Sequence, residues 1–127
     1  MTTSATIGRY KNHKSGTCLE DPGYSARSGT RAKLAACSTS AAERVTFEGA
    51  FFVVHKLCLQ LANGKPGAAI TWATCNGNDR QQWSVNPDGT ITWIQFTMCL
   101  ADMSGKVELA NCTRSAANRW TFIPART

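Results

Sequence analysis

The sequence has no apolar run of ~18 residues, so it contains no segment suited to a membrane-spanning helix. It is short of acid: eight Asp and Glu stand against fourteen Lys and Arg, a net charge of +6. Residues Met1 to Ile7 lack a basic stretch followed by a long apolar one, so they do not read as a signal peptide. No two cysteines form a C-x-x-C pair, and His13 and His55 lie near no cysteine at metal-ligand spacing. No metal site and no cofactor are therefore expected. There is no phosphate-binding loop, no Ser or Cys nucleophile set beside a histidine, and no carboxylate pair marked as acid and base. These absences argue against an enzyme. The basic residues are dispersed, densest from Arg9 to Lys33, and do not focus into a stripe interleaved with aromatics. Nucleic-acid binding is not expected from such a pattern, although the positive field favours anionic partners in general. Helix formers do not recur at helical spacing for long.

What is present is a threefold repeat. Thr17-Cys18-Leu19-Glu20, Leu57-Cys58-Leu59-Gln60 and Met98-Cys99-Leu100-Ala101 align on Cys-Leu. A second cysteine follows each: Cys37, Cys75 and Cys112. Eight residues further on stand Val45, Trp83 and Trp120, and two residues beyond those stand Phe47, Val85 and Phe122. The copies fall at about residues 6–48, 49–88 and 89–127, a period of roughly 40 residues.

Each copy reads as β. Val45-Thr46-Phe47, Trp83-Ser84-Val85, Trp120-Thr121-Phe122 and Thr90-Ile91-Thr92-Trp93-Ile94 alternate as half-buried strands do. Asp21-Pro22-Gly23, Asn63-Gly64, Asn76-Gly77, Pro87-Asp88-Gly89 and Ser104-Gly105 are turns. A propeller needs ~4 or more blades. Three tandem four-stranded repeats with pseudo-threefold symmetry instead make an all-β single domain over residues 1–127, a β-trefoil. Val45, Trp83 and Trp120 are expected at its axis, with Leu19, Leu59, Leu100, Phe47, Val85 and Phe122 around them. Six cysteines read as a disulfide framework of an oxidising compartment, hence a secreted or extracellular chain. The repeat selects the pairs Cys18–Cys37, Cys58–Cys75 and Cys99–Cys112 from the many that six cysteines allow. Trp72, beside Ala73, falls on the strand face of Leu34 and Leu109 and is expected in the core.

Gln81-Gln82-Trp83 resembles the Q-x-W motif of ricin B-type lectins and related carbohydrate-binding modules. Asn118-Arg119-Trp120 is a near match and Glu43-Arg44-Val45 a degenerate one. Cys75-Asn76-Gly77-Asn78-Asp79-Arg80-Gln81-Gln82-Trp83, Asp88-Gly89-Thr90-Ile91 and Ser15-Gly16-Thr17-Cys18-Leu19-Glu20 are similar to bacterial members. The resemblance implies reversible binding of galactose-, xylose- or related sugars through shallow pockets. In that pattern a carboxylate after Cys-Leu accepts hydrogen bonds from neighbouring hydroxyls, a ring two residues before the second cysteine stacks on the sugar, and an amide near the Q-x-W adds further bonds.

This chain departs from the pattern. The carboxylate position holds Glu20, Gln60 and Ala101, with Asp21 and Asp102 one residue later. The stacking position holds Ala35, Ala73 and Ala110. The candidate sugar-binding residues are Glu20, Asp21, Tyr24, Lys33 and Glu43 in the first copy, beside Arg27 and Arg31. Gln60, Thr71, Asn76 and Gln81 are the candidates of the second copy, and Asp102, Glu108 and Asn118 those of the third. The alternative role for Gln81 and Asn118 is to tie a turn to its own backbone. The apolar runs Phe51-Phe52-Val53-Val54 and Trp93-Ile94-Gln95-Phe96-Thr97-Met98 carry a rival reading. On it, a degenerate trefoil that has lost sugar binding serves as a protein-docking or structural module, for a partner protein or an attached catalytic domain.

Overall fold

In the computed structural model, residues 6–24, 27–94, 98–113 and 115–125 are described. The first copy contributes β1 (Thr6–Asn12), β2 (Thr17–Glu20), the two-residue β3 (Thr30–Arg31), β4 (Lys33–Ala36) and β5 (Val45–Glu48). The second contributes β6 (Phe51–Val54), β7 (Leu57–Leu61), β8 (Ile70–Thr74) and β9 (Trp83–Val85). The third contributes β10 (Ile91–Trp93), β11 (Met98–Met103), β12 (Lys106–Asn111) and β13 (Trp120–Pro124).

The first and last strands of the copies close a ring. β1 pairs with β5 and β13, β5 with β6, and β9 with β10, all antiparallel. The gap between β6 and β9 is joined by the Trp83 N–H donating to the Ala50 carbonyl at 2.8 Å. The gap between β10 and β13 is joined by the Thr90–Arg119 bridge. Closure removes the open edges on which exposed strands aggregate. Gly8 is required here, since a Cβ would collide with the Ile123 carbonyl across the β1–β13 ladder.

Each Cys-Leu opens the inner hairpin of its copy: β2–β4, β7–β8 and β11–β12. The three hairpins meet one another through Lys33–Lys106, Thr30–Trp72 and Ala69–Glu108. The disulfides Cys18–Cys37, Cys58–Cys75 and Cys99–Cys112 lie within copies, each with a Cα–Cα distance of 5.0 Å.

Val45, Trp83 and Trp120 are buried with Leu19, Leu59 and Leu100 in one core cluster. The two indoles do the same job: Trp83 Nε1 donates to the Leu59 carbonyl at 3.0 Å and Trp120 Nε1 to the Leu100 carbonyl at 2.9 Å. Val45 has no such donor, and Trp72 of the second copy reaches the Glu20 carbonyl at 2.9 Å. Trp72 is fully buried. Phe47 and Phe122 are half-buried, one against Phe52 and the other against Tyr10. Val85 departs from expectation: it is 42 % exposed, because it faces Ile91 at the rim, where β9 ends before the Asn86–Gly89 turn.

Truncating an axis side chain combines lost burial with a cavity. Trp83→Ala is expected to destabilise the domain by about 3–5 kcal/mol, measured as the change in urea unfolding free energy.

Candidate functional site

One short turn recurs three times, between the last two strands of each copy, and it decides what the motif residues do. Ala41–Glu43, Asp79–Gln81 and Ala116–Asn118 each form one 3-10 turn. The last side chain of each points inward and accepts a hydrogen bond from the backbone N–H just after the second cysteine. Ser38 donates to Glu43 Oε1 at 2.8 Å, Asn76 to Gln81 Oε1 at 3.0 Å, and Thr113 to Asn118 Oδ1 at 2.6 Å. Gln81 adds two donations from Nε2, to the Thr74 carbonyl and to Gln60 Oε1, each at 2.9 Å. The turn-tying role therefore holds in all three copies.

This takes several candidate residues away from solvent. Glu43 and Gln81 are 1 % and 0 % exposed, and Asp21 is 0 % exposed. Asp102 and Asn118 are buried to a similar degree, at 2 % and 3 % exposed, so burial does not separate the candidates; what sets Asp21, Glu43 and Gln81 apart is that they line none of the three cavities described below. Asn76 Oδ1 accepts from the Asn78 N–H within its own turn. Gln60 lies opposite Thr71 in the β7–β8 ladder and is engaged by Gln81. Glu20 lies opposite Lys33. The exposed Tyr24 ring stacks on His55 at 4.0 Å, which covers one of its faces. Trp93 is buried, lies against Gly64, and donates from Nε1 to the Asp79 carbonyl at 2.7 Å. It therefore offers no docking patch, and Phe96 lies outside the described residues.

The third copy is different. Asp102, Glu108 and Asn118 line one cavity of about 440 Å³ together with Ala110, the position of the missing ring. Asp102 reaches it from the end of β11, where its Oδ1 accepts from the N–H of Gly105 in the following turn at 2.8 Å. Glu108 Oε2 sits 3.6 Å from Nη2 of Arg31, an ion pair joining the first copy to the third. Lys14 from the first copy and Pro66 from the second also contribute to the wall, with Met103, Ser104 and Ser115 from the third. No local pattern announced Lys14 or Pro66, because they arrive through the closure of the ring. Carboxylates, an ammonium and hydroxyls around an apolar floor can accept and donate hydrogen bonds to vicinal hydroxyls, with no group placed for covalent chemistry. Among the described residues, no group of three His, Cys, Asp or Glu is gathered to hold a metal ion.

Burial raises the pKa of the Glu43 carboxyl and the nearby Glu20 charge adds to this, while the Ser38 N–H and Arg9 oppose it.

Fold and cavity together define a β-trefoil with shallow polar pockets on its flank. The profile of the ricin-type beta-trefoil lectin domain matches residues 6–120, and the chain belongs to that family. As a member it is, in general terms, a carbohydrate-binding module. Alpha-galactosidase A of Aspergillus niger is 35 % identical over 68 residues, which are 51 % of this chain and 12 % of the enzyme. The match thus spans a small part of that relative. The agglutinin from Abrus precatorius superposes with a TM-score of 0.87 at 15 % identity, over 96 % of this chain and 49 % of that one. A designed three-fold symmetric protein, ThreeFoil, gives 0.83 at 16 % identity, over 94 % and 99 %. GalNAc-T7, solved with UDP, GalNAc and Mn2+, gives 0.79 at 17 % identity, over 94 % of this chain and 22 % of that one.

Two outcomes test the turn. Gln81→Ala leaves the Asn76 N–H and the Thr74 carbonyl without their partner and is expected to cost about 1–3 kcal/mol in chemical denaturation. Glu43→Gln keeps an acceptor for Ser38. A carboxyl whose folded pKa is raised destabilises the native state as pH rises through that pKa, and this penalty is absent below the unfolded value. Glu43→Gln is therefore expected to raise the melting temperature at neutral pH, with the gain shrinking as pH falls through the folded pKa and gone below the unfolded value of ~4.3.

Proposed function

We propose that the domain binds sugar reversibly, without chemistry, through the cavity of its third copy. The gathering of Asp102, Glu108 and Asn118 around one cavity carries this reading. The carboxylates of Asp102 and Glu108 accept hydrogen bonds from neighbouring hydroxyls of a galactose-, xylose- or related sugar, and the Lys14 ammonium and the Ser104 and Ser115 hydroxyls donate. Pro66, Met103 and Ala110 supply the apolar contact that a ring supplies elsewhere. Asn118 holds the Thr113 backbone that forms one side of the cavity. The absence of a ring makes each site weak, and a polymeric or densely glycosylated target compensates by multivalency. The three disulfides favour a secreted or extracellular protein. The long chains of the alpha-galactosidase and of GalNAc-T7 favour attachment to a catalytic domain.

A screen of neutral glycans and polysaccharides tests the reading, and silence across the panel from the folded, oxidised domain would favour the docking alternative. For a ligand found there, Asp102→Asn keeps the acceptor for Gly105 and is expected to weaken binding by about tenfold. Ala110→Tyr restores a stacking face and is expected to strengthen it by roughly tenfold in titration calorimetry.

A further inference from the structure

A second surface lies on the outer wall of the ring. Ile7, Arg9 and Lys11 face outward along β1, between the buried Gly8, Tyr10 and Asn12. Arg9 stands opposite Ile123 and Lys11 opposite Thr121 on β13. At one end of this stretch Arg9, Arg44 and the hydroxyl residues Ser38, Thr39 and Ser40 line a cavity of about 350 Å³. At the other end Lys11, His13, Lys14, Ser15 and Thr121 line one of about 530 Å³. Ile123 borders both, so the two adjoin along the outer face of β1 and β13, the β1–β13 groove. Lys14 also borders the third copy's cavity, so the groove leads on to it.

The lining of the groove is positive, and the acid that Arg9 feels, Glu43, is buried. Among its described lining residues none is acidic. The ion pair present among the described residues, Arg31–Glu108, lies elsewhere. Glu43 is buried behind the wall, and Arg9 is fixed at the mouth by donating from Nη1 to the Ser38 carbonyl at 2.7 Å. Arg9 and Lys11 are two residues apart on one strand face, ~7 Å, so they meet successive charges on a chain rather than one ion. Among the described lining residues there is no Phe, Tyr or Trp for a nucleobase to stack on. Hydroxyls border both ends instead.

We propose that the β1–β13 groove binds an acidic polysaccharide, its carboxylates or sulfates on Arg9, Arg44, Lys11 and Lys14 and its hydroxyls on the serines and threonines beside them. Lys14 is shared with the third copy's cavity, but Arg9, Lys11 and Arg44 are not, so loss of the groove through Arg9 and Lys11 leaves neutral-sugar binding there untouched.

The test is affinity electrophoresis of the oxidised domain through dextran sulfate, polygalacturonate, plain dextran and a thymidine oligonucleotide. The two acidic polysaccharides are expected to retard the protein at low salt and release it at high salt, while plain dextran has no effect. Arg9→Gln with Lys11→Gln is expected to weaken that binding by about tenfold or more while the domain stays folded by circular dichroism. Lys56→Gln with Lys65→Gln removes equal charge from other exposed sites and is expected to leave it unchanged. An equal loss in both double variants, no loss in the first, or an oligonucleotide bound as tightly as dextran sulfate would overturn the proposal.

Discussion

The inward hydrogen bond at the end of each 3-10 turn is the constraint on which the rest of the domain depends. A backbone N–H just past the second cysteine has no strand to pair with, and burying it unpaired is unfavourable. Glu43, Gln81 and Asn118 each supply the missing acceptor. The disulfide fixes the preceding strand, the turn fixes the following one, and the axis residue two positions on is thereby aimed at the core. Val45, Trp83 and Trp120 meet because three such turns repeat, and packing alone does not set their direction.

This explains why the fold was more legible in the sequence than the site. Cys-Leu, the second cysteine and the large apolar residue recur in register, and each has a local physical job that a linear pattern can reveal. Trp72 followed from strand alternation alone. The binding residues have no such signature. Gln81 belongs to a motif associated with sugar contact, yet both its N–H donors and its carbonyl oxygen are engaged, by Gln60, Thr74 and Asn76. Asp21 and Asp102 stand at matching places in the alignment, and both are buried, but only Asp102 was placed on the third copy's cavity wall. Lys14 and Pro66 come from other copies, so no reading of the third copy by itself contains them. Val85 failed for a related reason: alternation gives a side chain's face but not its distance from the rim.

The three copies have diverged where symmetry leaves room. The second answers its turn with the neutral pair Gln60 and Gln81, whereas the first has Glu20 and Glu43 at the same places and so buries a carboxyl near a second one. The third has Ala101 and the shorter Asn118. The backbone requirement is met in every case by an oxygen acceptor, and the freedom in what carries that oxygen lets each lobe acquire different chemistry without unfolding its neighbours.

Because β1 is hydrogen-bonded to β13, with Gly8 directly across from Pro124, the path of the polypeptide enters and leaves the ring at one place. A module with its entrance and exit side by side can be threaded into a longer polypeptide like a bead, without prying apart the scaffold on either side. The same adjacency permits a permuted chain, opened at the Gly49–Ala50 turn and joined across the old seam, to rebuild an identical barrel.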